Sequence, residues 1–573
     1  MPFDVKDILR QLDTGFAPDA GAPPWWQESW EDPEGFAAAL VEAHAGKGVP
    51  PPKSRPGQQY DFFHDLVVRH VALERPAFRA YARVQGWQTV GYRALHDLAA
   101  RRASEWAEQG VVPGAKVCLV HGVGQELLVS LLATLRLGGC FTLLPPLGPR
   151  AMATRLEALT PEFIAAEPHQ LPLLRGHEKL LLKSRGGGAP GFTSHTYKPA
   201  DVVGLLFSPL VDPPHTLVPL TAENAWKGAL GDGMLTFGLA PGDMLAAPDF
   251  PVLQHQPALL FTTLLRGATY LHLELADLEH NPAPLLEHPL RALGVTPRLR
   301  DLLLRHRTGA MRNVLHWFRN PEEPYDAQAW RAWVKQCGLQ AVPSSNVLID
   351  AAAGGAVLVS SRGVNDPHAD VHTDVFPVPG RRWTLKDPNV SGQGAPADVG
   401  VFTLLPDKGR PPGHVLLARI RSRYHYGGTM GFRHDGHAYP SKEVTSVLES
   451  GLPFLVGTSV VPVSTGGLAS HSRFILLAFT GSEPAPPSSG QEIERRIEMM
   501  LGRDFLPDRI EFFPLFPHRK KGAVDDAWCA TQFFTGALHR KATDPLFQAL
   551  TALRGRLLER TGPSGEDGPP GTR

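Results

Sequence analysis

The residues best equipped for chemistry by type and spacing lie in the run Asp366-Pro367-His368-Ala369-Asp370-Val371-His372-Thr373-Asp374. Acid and imidazole alternate at every second position. On a β-strand a period of two brings the whole set onto one face. Imidazole and carboxylate are what zinc and other divalent metals bind, so His368, Asp370, His372 and Asp374 are candidate metal ligands. Positions two apart on a strand are about 7 Å apart, so one strand offers two ligands to an ion and the others come from elsewhere. The same pattern suits the solvated face of an edge strand or loop, and that commoner use is the favoured one. The sequence contains no G-x-S-x-G elbow, no H-E-x-x-H and no dinucleotide G-x-G-x-x-G between strand and helix. Gly122-Val123-Gly124 follows a strand-like stretch but lacks the third glycine, and reads as a turn. Cys118, Cys140, Cys337 and Cys529 show no C-x-x-C spacing, which excludes a zinc ribbon and a disulfide framework. That usage fits a reducing, cytoplasmic compartment.

Such residues need a scaffold. At roughly 100–200 residues per domain, 573 residues make two or three domains. A hydrophobic share of 43% with 20% charged residues suits a globular protein with a sizeable core. Lys+Arg and Asp+Glu are both 57, and this balance argues against nucleic acid or an anionic membrane as the main partner. No run of about 18 apolar residues is present, so no transmembrane helix is expected. The first residues, MPFDVKDILRQLD, carry charges where a signal peptide needs an apolar run. Gly (57) and Pro (55) together are about a fifth of the chain, above the usual share of roughly 12%, and with many Ala and Arg this suggests a GC-rich bacterial genome.

Residues 1–55 read as an extension, with an amphipathic segment at Val5–Leu12, a cluster of Trp25, Trp26 and Trp30, and the run Pro50-Pro51-Pro52. Docking of this Trp-rich segment on the body is favoured over docking on a partner. From Tyr60 onward the apolar spacing predicts helices at Phe62–Val71, Tyr92–Gln109 and Glu126–Leu137, and strands at Lys116–His121, Cys140–Leu144 and Val202–Phe207. Strand–helix–strand order with short links implies a parallel, doubly wound α/β sheet. Ser184–Pro199 is Gly-rich and reads as a flexible connection, and a helix begins at Ala222–Leu230. From about Asp366 the chain reads as β-rich, and Lys442 to about Arg556 as a small α+β unit. The expected organisation is an extension at 1–55, a large domain of doubly wound α/β subdomains plus a β-rich subdomain at 56–440, a small α+β domain at 441–560, and a disordered tail at 561–573.

With these features in order, the chain resembles the acyl-CoA synthetase, adenylation-domain and luciferase superfamily of adenylate-forming enzymes. The likeness runs from about Tyr60 to Leu558. It rests on Gly110–Val120 (GVVPGAKVCLV), on the helix end Leu135-Arg136-Leu137-Gly138-Gly139 with the turn Leu144-Pro145-Pro146, on Gly413–Arg419 (GHVLLAR) and on Phe505–Pro514 (FLPDRIEFFP). The resemblance implies a large and a small domain, acyl-adenylate formation from ATP and a carboxylic acid, and transfer of the acyl group to a thiol.

That chemistry needs particular groups. ATP phosphates need a glycine-rich loop of backbone N–H donors and a lysine. Val218-Pro219-Leu220-Thr221-Ala222-Glu223-Asn224 matches the stretch that follows the family's loop, and reading back from it the loop is Ser208-Pro209-Leu210-Val211-Asp212-Pro213-Pro214-His215-Thr216. Only Ser208 survives, the glycines are gone, and Thr216 stands at the lysine position. Pro213 and Pro214 lack N–H donors, and Asp212 places negative charge where phosphate would sit. The family's Thr-Glu motif aligns with Asp350-Ala351-Ala352-Ala353-Gly354-Gly355, so the magnesium ligand becomes Ala352, with Asp350 two residues away as a substitute. The ribose-binding Asp falls on Gly428 or Thr429. Around Tyr439-Pro440-Ser441-Lys442-Glu443-Val444 the hinge between the two domains is missing. The C-terminal catalytic lysine falls on Ala523, with Lys520 and Lys521 close by.

The resemblance therefore implies a degenerate member in which ATP-dependent adenylation is lost. The expected role is a pseudoenzyme or accessory protein in bacterial lipid or specialised metabolism, binding a small acyl or aryl ligand, an acyl carrier protein or a pathway enzyme, with no cofactor. The alternative is an acyl- or aryl-CoA ligase using ATP, magnesium and CoA, or an ATP-independent acyltransferase. His255, near the family's acyl-pocket region, and Ser208 are then the candidate base and nucleophile.

Overall fold

The computed structural model describes residues 3–14, 22–44, 49–183, 193–211, 215–322, 327–360, 362–364, 374–386, 399–405, 415–420, 423–429, 433–434, 437–439, 441–464, 472–520, 523–551 and 553. The chain divides into two compact units. The larger comprises Met1–Leu147, Met152–Ala438 and Gly466–Ser470; the smaller comprises Gly148–Ala151, Tyr439–Thr465 and His471–Arg573.

Among the described residues the larger unit holds two large sheets and a two-stranded ladder of Arg433–His434 with His437–Ala438. In the five-stranded sheet, Phe163–Ala166, Lys116–Val120, Cys140–Leu143 and Val202–Phe207 run parallel, and Leu217–Thr221 closes the edge antiparallel. The helix Gln125–Leu137 makes the first crossover. All its residues from Leu127 to Arg136 are buried, as expected for a helix packed between a sheet and its neighbours. Gly138 ends it at φ 81, and a Cβ there would lie 2.5 Å from the His195 ring, so both conformation and space demand glycine.

The second sheet has 14 strands. One half is parallel: Pro343–Asp350, Trp317–Arg319, Ala292–Gly294, Met244–Ala246, Thr269–Leu273 and Pro76–Ala82. The other half is antiparallel, from Gly355–Val359 through Asp374–Pro377, Arg423–Thr429, Val415–Ile420 and Val399–Leu404 to Trp383–Lys386. The fold is thus doubly wound α/β joined to a β-rich part, as the sequence predicts. The smaller unit is α+β: Gly457–Ser464 pairs antiparallel with Ser472–Phe479, which pairs parallel with Arg509–Phe513 after a crossover through the helix Ser489–Met500.

The Trp-rich extension packs on the body of its own unit. It forms helices Val5–Thr14, Pro24–Glu31 and Pro33–His44. The Trp26 indole N–H donates to the Pro377 carbonyl at 2.9 Å and that of Trp30 to Val378 at 3.1 Å. Trp26 also tilts against Phe376, and Trp30 meets Trp383 edge-on.

One expectation needs correction. The connection Ser184–Pro199 is not a loose tether along its length. Residues 184–192 lie outside the described part, but Tyr197 is buried, exchanges backbone hydrogen bonds with Tyr60, and donates its hydroxyl hydrogen bond to the Leu135 and Gly139 carbonyls. A large aromatic with two buried acceptors anchors the chain there, despite the glycines before it. The run of tail residues 561–573 lies outside the described residues.

Candidate functional site

The carboxyl ends of Val202–Phe207 and Pro343–Asp350 meet, which is where ligands bind in open α/β sheets. Ser208 follows the first strand and Asp350 ends the second. The Ser208 hydroxyl donates to Asp350 Oδ1 at 3.0 Å, and both residues are about 1% exposed. The loop after Ser208 turns inward. The Leu210 N–H donates to Ser208 Oγ at 3.2 Å and the Val211 N–H to the Ser208 carbonyl at 3.2 Å. Leu210 and Val211 are core residues. Asp212 to Pro214 lie outside the described residues, and Thr216 immediately precedes the strand Leu217–Thr221.

Across from this loop, Asp350 Oδ1 also accepts the Ala352 N–H at 3.1 Å, closing the 3-10 turn Ala351–Ala353. Ala352 is buried. The turn leaves through Gly354 at φ 91, where a Cβ would lie 2.3 Å from the Asn224 carbonyl oxygen. Reciprocally, a Cβ on Gly228 would lie 2.0 Å from the Gly354 carbonyl oxygen. The helix Ala222–Gly231 therefore packs on the turn backbone to backbone. That helix runs into a π-turn, Asp232–Thr236. Asp232 accepts the Ala356 N–H at 2.8 Å and the Thr236 hydroxyl at 3.3 Å. Burial pushes its carboxyl up to about 7 against these hydrogen bonds and the nearby Arg381, which pull it down. Arg381 itself donates to the Ala353 carbonyl at 2.6 Å.

His255 ends the short helix Val252–His255, which packs against the Ala351–Ala353 turn and the strand Pro343–Asp350. The imidazole is fully buried, its Nδ1 lies 2.9 Å from the Pro251 carbonyl, and its ring meets Phe250 edge-on at 4.7 Å. A ring nitrogen facing a carbonyl carries the proton, which assigns the Nδ1–H tautomer. The Ser208 hydroxyl bonds Asp350, not His255, so the two sequence candidates lie on neighbouring elements without forming a serine–imidazole pair.

Sequence reasoning missed Glu322. It sits beyond the carboxyl end of Trp317–Arg319 and gathers Gln254 Nε2 at 2.5 Å, Asn320 Nδ2 at 3.2 Å and the Tyr426 hydroxyl at 3.2 Å. Its only signal is a carboxylate following an apolar strand in an Asn-Pro-Glu-Glu-Pro turn. Gln254 ties this cluster to the helix that carries His255.

The architecture has counterparts among solved structures. An acyl-CoA synthetase from Brucella canis matches with a TM-score of 0.55 at 15% identity, over 89% of this chain and 99% of that one. The amide bond synthetase McbA from Marinactinospora thermotolerans gives 0.62 at 18% identity, over 81% and 99%. The fold is that of the adenylate-forming enzymes. Acetoacetyl-CoA synthetase from Streptomyces lividans shares this adenylate-forming architecture at a TM-score of 0.57 and 16% identity, over 94% of this chain and 95% of its own. In sequence, 117 residues are 34% identical to apicidin F synthase of Gibberella fujikuroi. They make up 20% of this chain and only 2% of that protein. No protein-family model matches the chain.

The remaining sequence-predicted positions of the adenylate-forming pattern are spread over other elements. Gly428 is in the strand Arg423–Thr429, opposite Leu416. Lys520 and Ala523 face each other across a short exposed hairpin in the smaller unit, and Lys521 lies outside the described residues. Of the alternating His and Asp run, His368, Asp370 and His372 lie outside the described residues. Asp374 begins a strand, is buried, and pairs with Arg423 at 3.2 Å opposite His425. Among the described residues no group of three or more His, Cys, Asp and Glu could hold a metal ion. Among the described residues no helix is long and apolar enough to cross a membrane.

Proposed function

We propose that this chain uses the adenylate-forming fold without ATP-dependent carboxylate adenylation. It serves as a binding or accessory protein for an acyl or aryl group, a carrier protein or a partner enzyme in lipid or specialised metabolism. The observation that carries this reading is the closed Ser208–Asp350 pair. Around it, the N–H groups of Leu210, Val211 and Ala352 are consumed by Ser208 and Asp350. A phosphate cradle needs such donors unspent and pointing outward. The names of two structural neighbours, acyl-CoA and acetoacetyl-CoA synthetase, support an acyl ligand. The stretch of likeness to apicidin F synthase supports a setting in which carrier proteins are partners.

Isothermal titration calorimetry with ATP and Mg²⁺ tests the reading. A folded sample gives no heat at millimolar ATP and no pyrophosphate exchange with fatty, aryl or amino acids. Micromolar ATP binding, or exchange with any of these acids, overturns it.

A further inference from the structure

A cleft lies apart from the Ser208–Asp350 pair, against the chain from Pro51 to His64. The chain from Pro51 to Asp65 forms a pinned loop. Arg55 and Gln59 pair as a bridge, and Gly57 takes φ 72 at the tip, donating its N–H to the Tyr60 hydroxyl at 3.1 Å. The pin is Asp65, whose carboxylate is fully buried. It accepts the Lys53 N–H at 2.7 Å, the Ser54 N–H at 3.1 Å, the Trp226 indole N–H at 3.1 Å and His64 Nδ1 at 2.8 Å. Burial favours its neutral form, yet the hydrogen bonds from His64, Ser54 and Lys53 outweigh it and hold the carboxyl below its ordinary value. Asp61, the other carboxylate nearby, caps the following helix by accepting the His64 N–H at 2.9 Å and also accepts the Ser194 hydroxyl at 2.7 Å.

The loop borders an open surface cleft of about 520 Å³, within the volume range of small-molecule sites. Pro51 and Pro52 give it apolar walls, and Lys53, Arg55, Gln59 and His64 face it. Among the described residues no carboxylate lines it. Asp61 and Asp65 stand behind the lining, occupied by the donors already described. Asp65 takes His64 Nδ1, so the free edge of the imidazole is Nε2, an orientation familiar from carboxylate–histidine pairs. The lining is cationic at Lys53 and Arg55 and apolar at Pro51 and Pro52. The Lys53 side chain is 62% exposed and its ammonium lies 3.9 Å from Asp61, a separation at which the pair leaves that charge available.

We propose that this cleft is a binding site for a small organic anion, a carboxylate or phosphate ester with an apolar body. Arg55 and Lys53 take its charge, the side-chain amides of Gln58 and Gln59 offer N–H donors, and Pro51 and Pro52 take the apolar part. Two probes distinguish the sources of the anion, inorganic phosphate and benzoate, each titrated calorimetrically into the full chain. The expected result is saturable binding of at least one probe with 1:1 stoichiometry, weakened at least fivefold in Arg55→Gln and in Lys53→Gln. Ser208→Ala, at the other site, leaves it unchanged. Circular dichroism melts confirm that each variant is folded. A preference for benzoate assigns a carboxylate ligand, and a preference for phosphate assigns a phosphate ester. Absence of saturable binding for both probes overturns the proposal, as does binding that Arg55→Gln and Lys53→Gln leave intact or that Ser208→Ala removes.

Discussion

Three buried side chains around the strand ends of Val202–Phe207 and Pro343–Asp350 can be probed by substitution. Ser208→Ala removes the hydroxyl between Asp350 and the Leu210 N–H, leaving both short of a partner in a buried setting. Such losses cost about 1–3 kcal/mol, and a double-mutant cycle with Asp350→Ala should show a coupling of similar size. Additive effects would mean that the pair is incidental. Ala352→Glu puts a carboxylate where the resemblance to adenylate-forming enzymes would place a magnesium ligand, at a position whose side chain is 4% exposed. The expected result is a lower thermal midpoint and no gain of ATP binding, because burying an unpaired charge costs several kcal/mol. Asp232 gives a pH signature. Its folded pKa lies above the ordinary carboxyl value, 3.8 rising to about 7, so the folded state prefers the proton. Stability from this group is fully present below pH 4, falls as pH rises toward 7 and is flat above it. The whole loss is on the order of 4 kcal/mol if the shift is fully expressed. Asp232→Asn should therefore gain on the wild type steadily between pH 4 and 7. A stability difference independent of pH across that window would sink the assignment.

At the scale of elements, the turn Ala351–Gly355 and the helix Ala222–Gly231 form one unit. In an exposed helix interior, Gly→Ala gains about 1 kcal/mol. At Gly228 the new methyl would sit 2.0 Å from the Gly354 carbonyl oxygen, so Gly228→Ala should reverse that sign and destabilise by about 1–3 kcal/mol. An unchanged or raised midpoint would show that the helix and turn move apart easily. This turn was half legible from the residues: Asp350-Ala351-Ala352-Ala353-Gly354-Gly355 stood out by its glycines, but nothing in the spacing announced which backbone lies against them. Periodicity placed the strand Val202–Phe207 at its observed ends and the helices Tyr92–Glu108 and Gln125–Leu137 to within a residue, since local apolar patterning determines those. The Ser208–Asp350 bond joins residues 142 apart, and Glu322 draws its partners from three segments. Such contacts exist only after the sheets assemble. Tyr197 escaped notice for the same reason, because its two acceptors come from the far end of another helix.

The larger unit as a whole is closed by its N-terminal helices. Trp26 is 1% exposed, stacks on Trp25, and reaches the Pro377 carbonyl, while Gly380 donates its N–H to Ser29 Oγ at 2.9 Å. Charges reinforce the seam: Asp13 pairs with the buried Arg362 at 3.1 Å, and Glu34 with Lys227 at 2.9 Å. The exposed pair contributes little, whereas an indole in a closed core contributes most. Trp26→Ala should destabilise by about 3–5 kcal/mol, and Trp30→Ala, at the partly exposed rim, by clearly less. Thermal melts followed by tryptophan fluorescence read this ordering directly. A segment held ready for a partner would give the opposite outcome, with both substitutions leaving the midpoint of the isolated protein in place. The strand Asp374–Pro377 joins this seam to the hairpin that carries Asp350 through its pairing with Gly355–Val359. Loosening the extension therefore removes support from the strand beside the site, and Trp26→Ala should also speed hydrogen exchange at the amides of Leu358 and Val359, ahead of those in the strand Lys116–Val120.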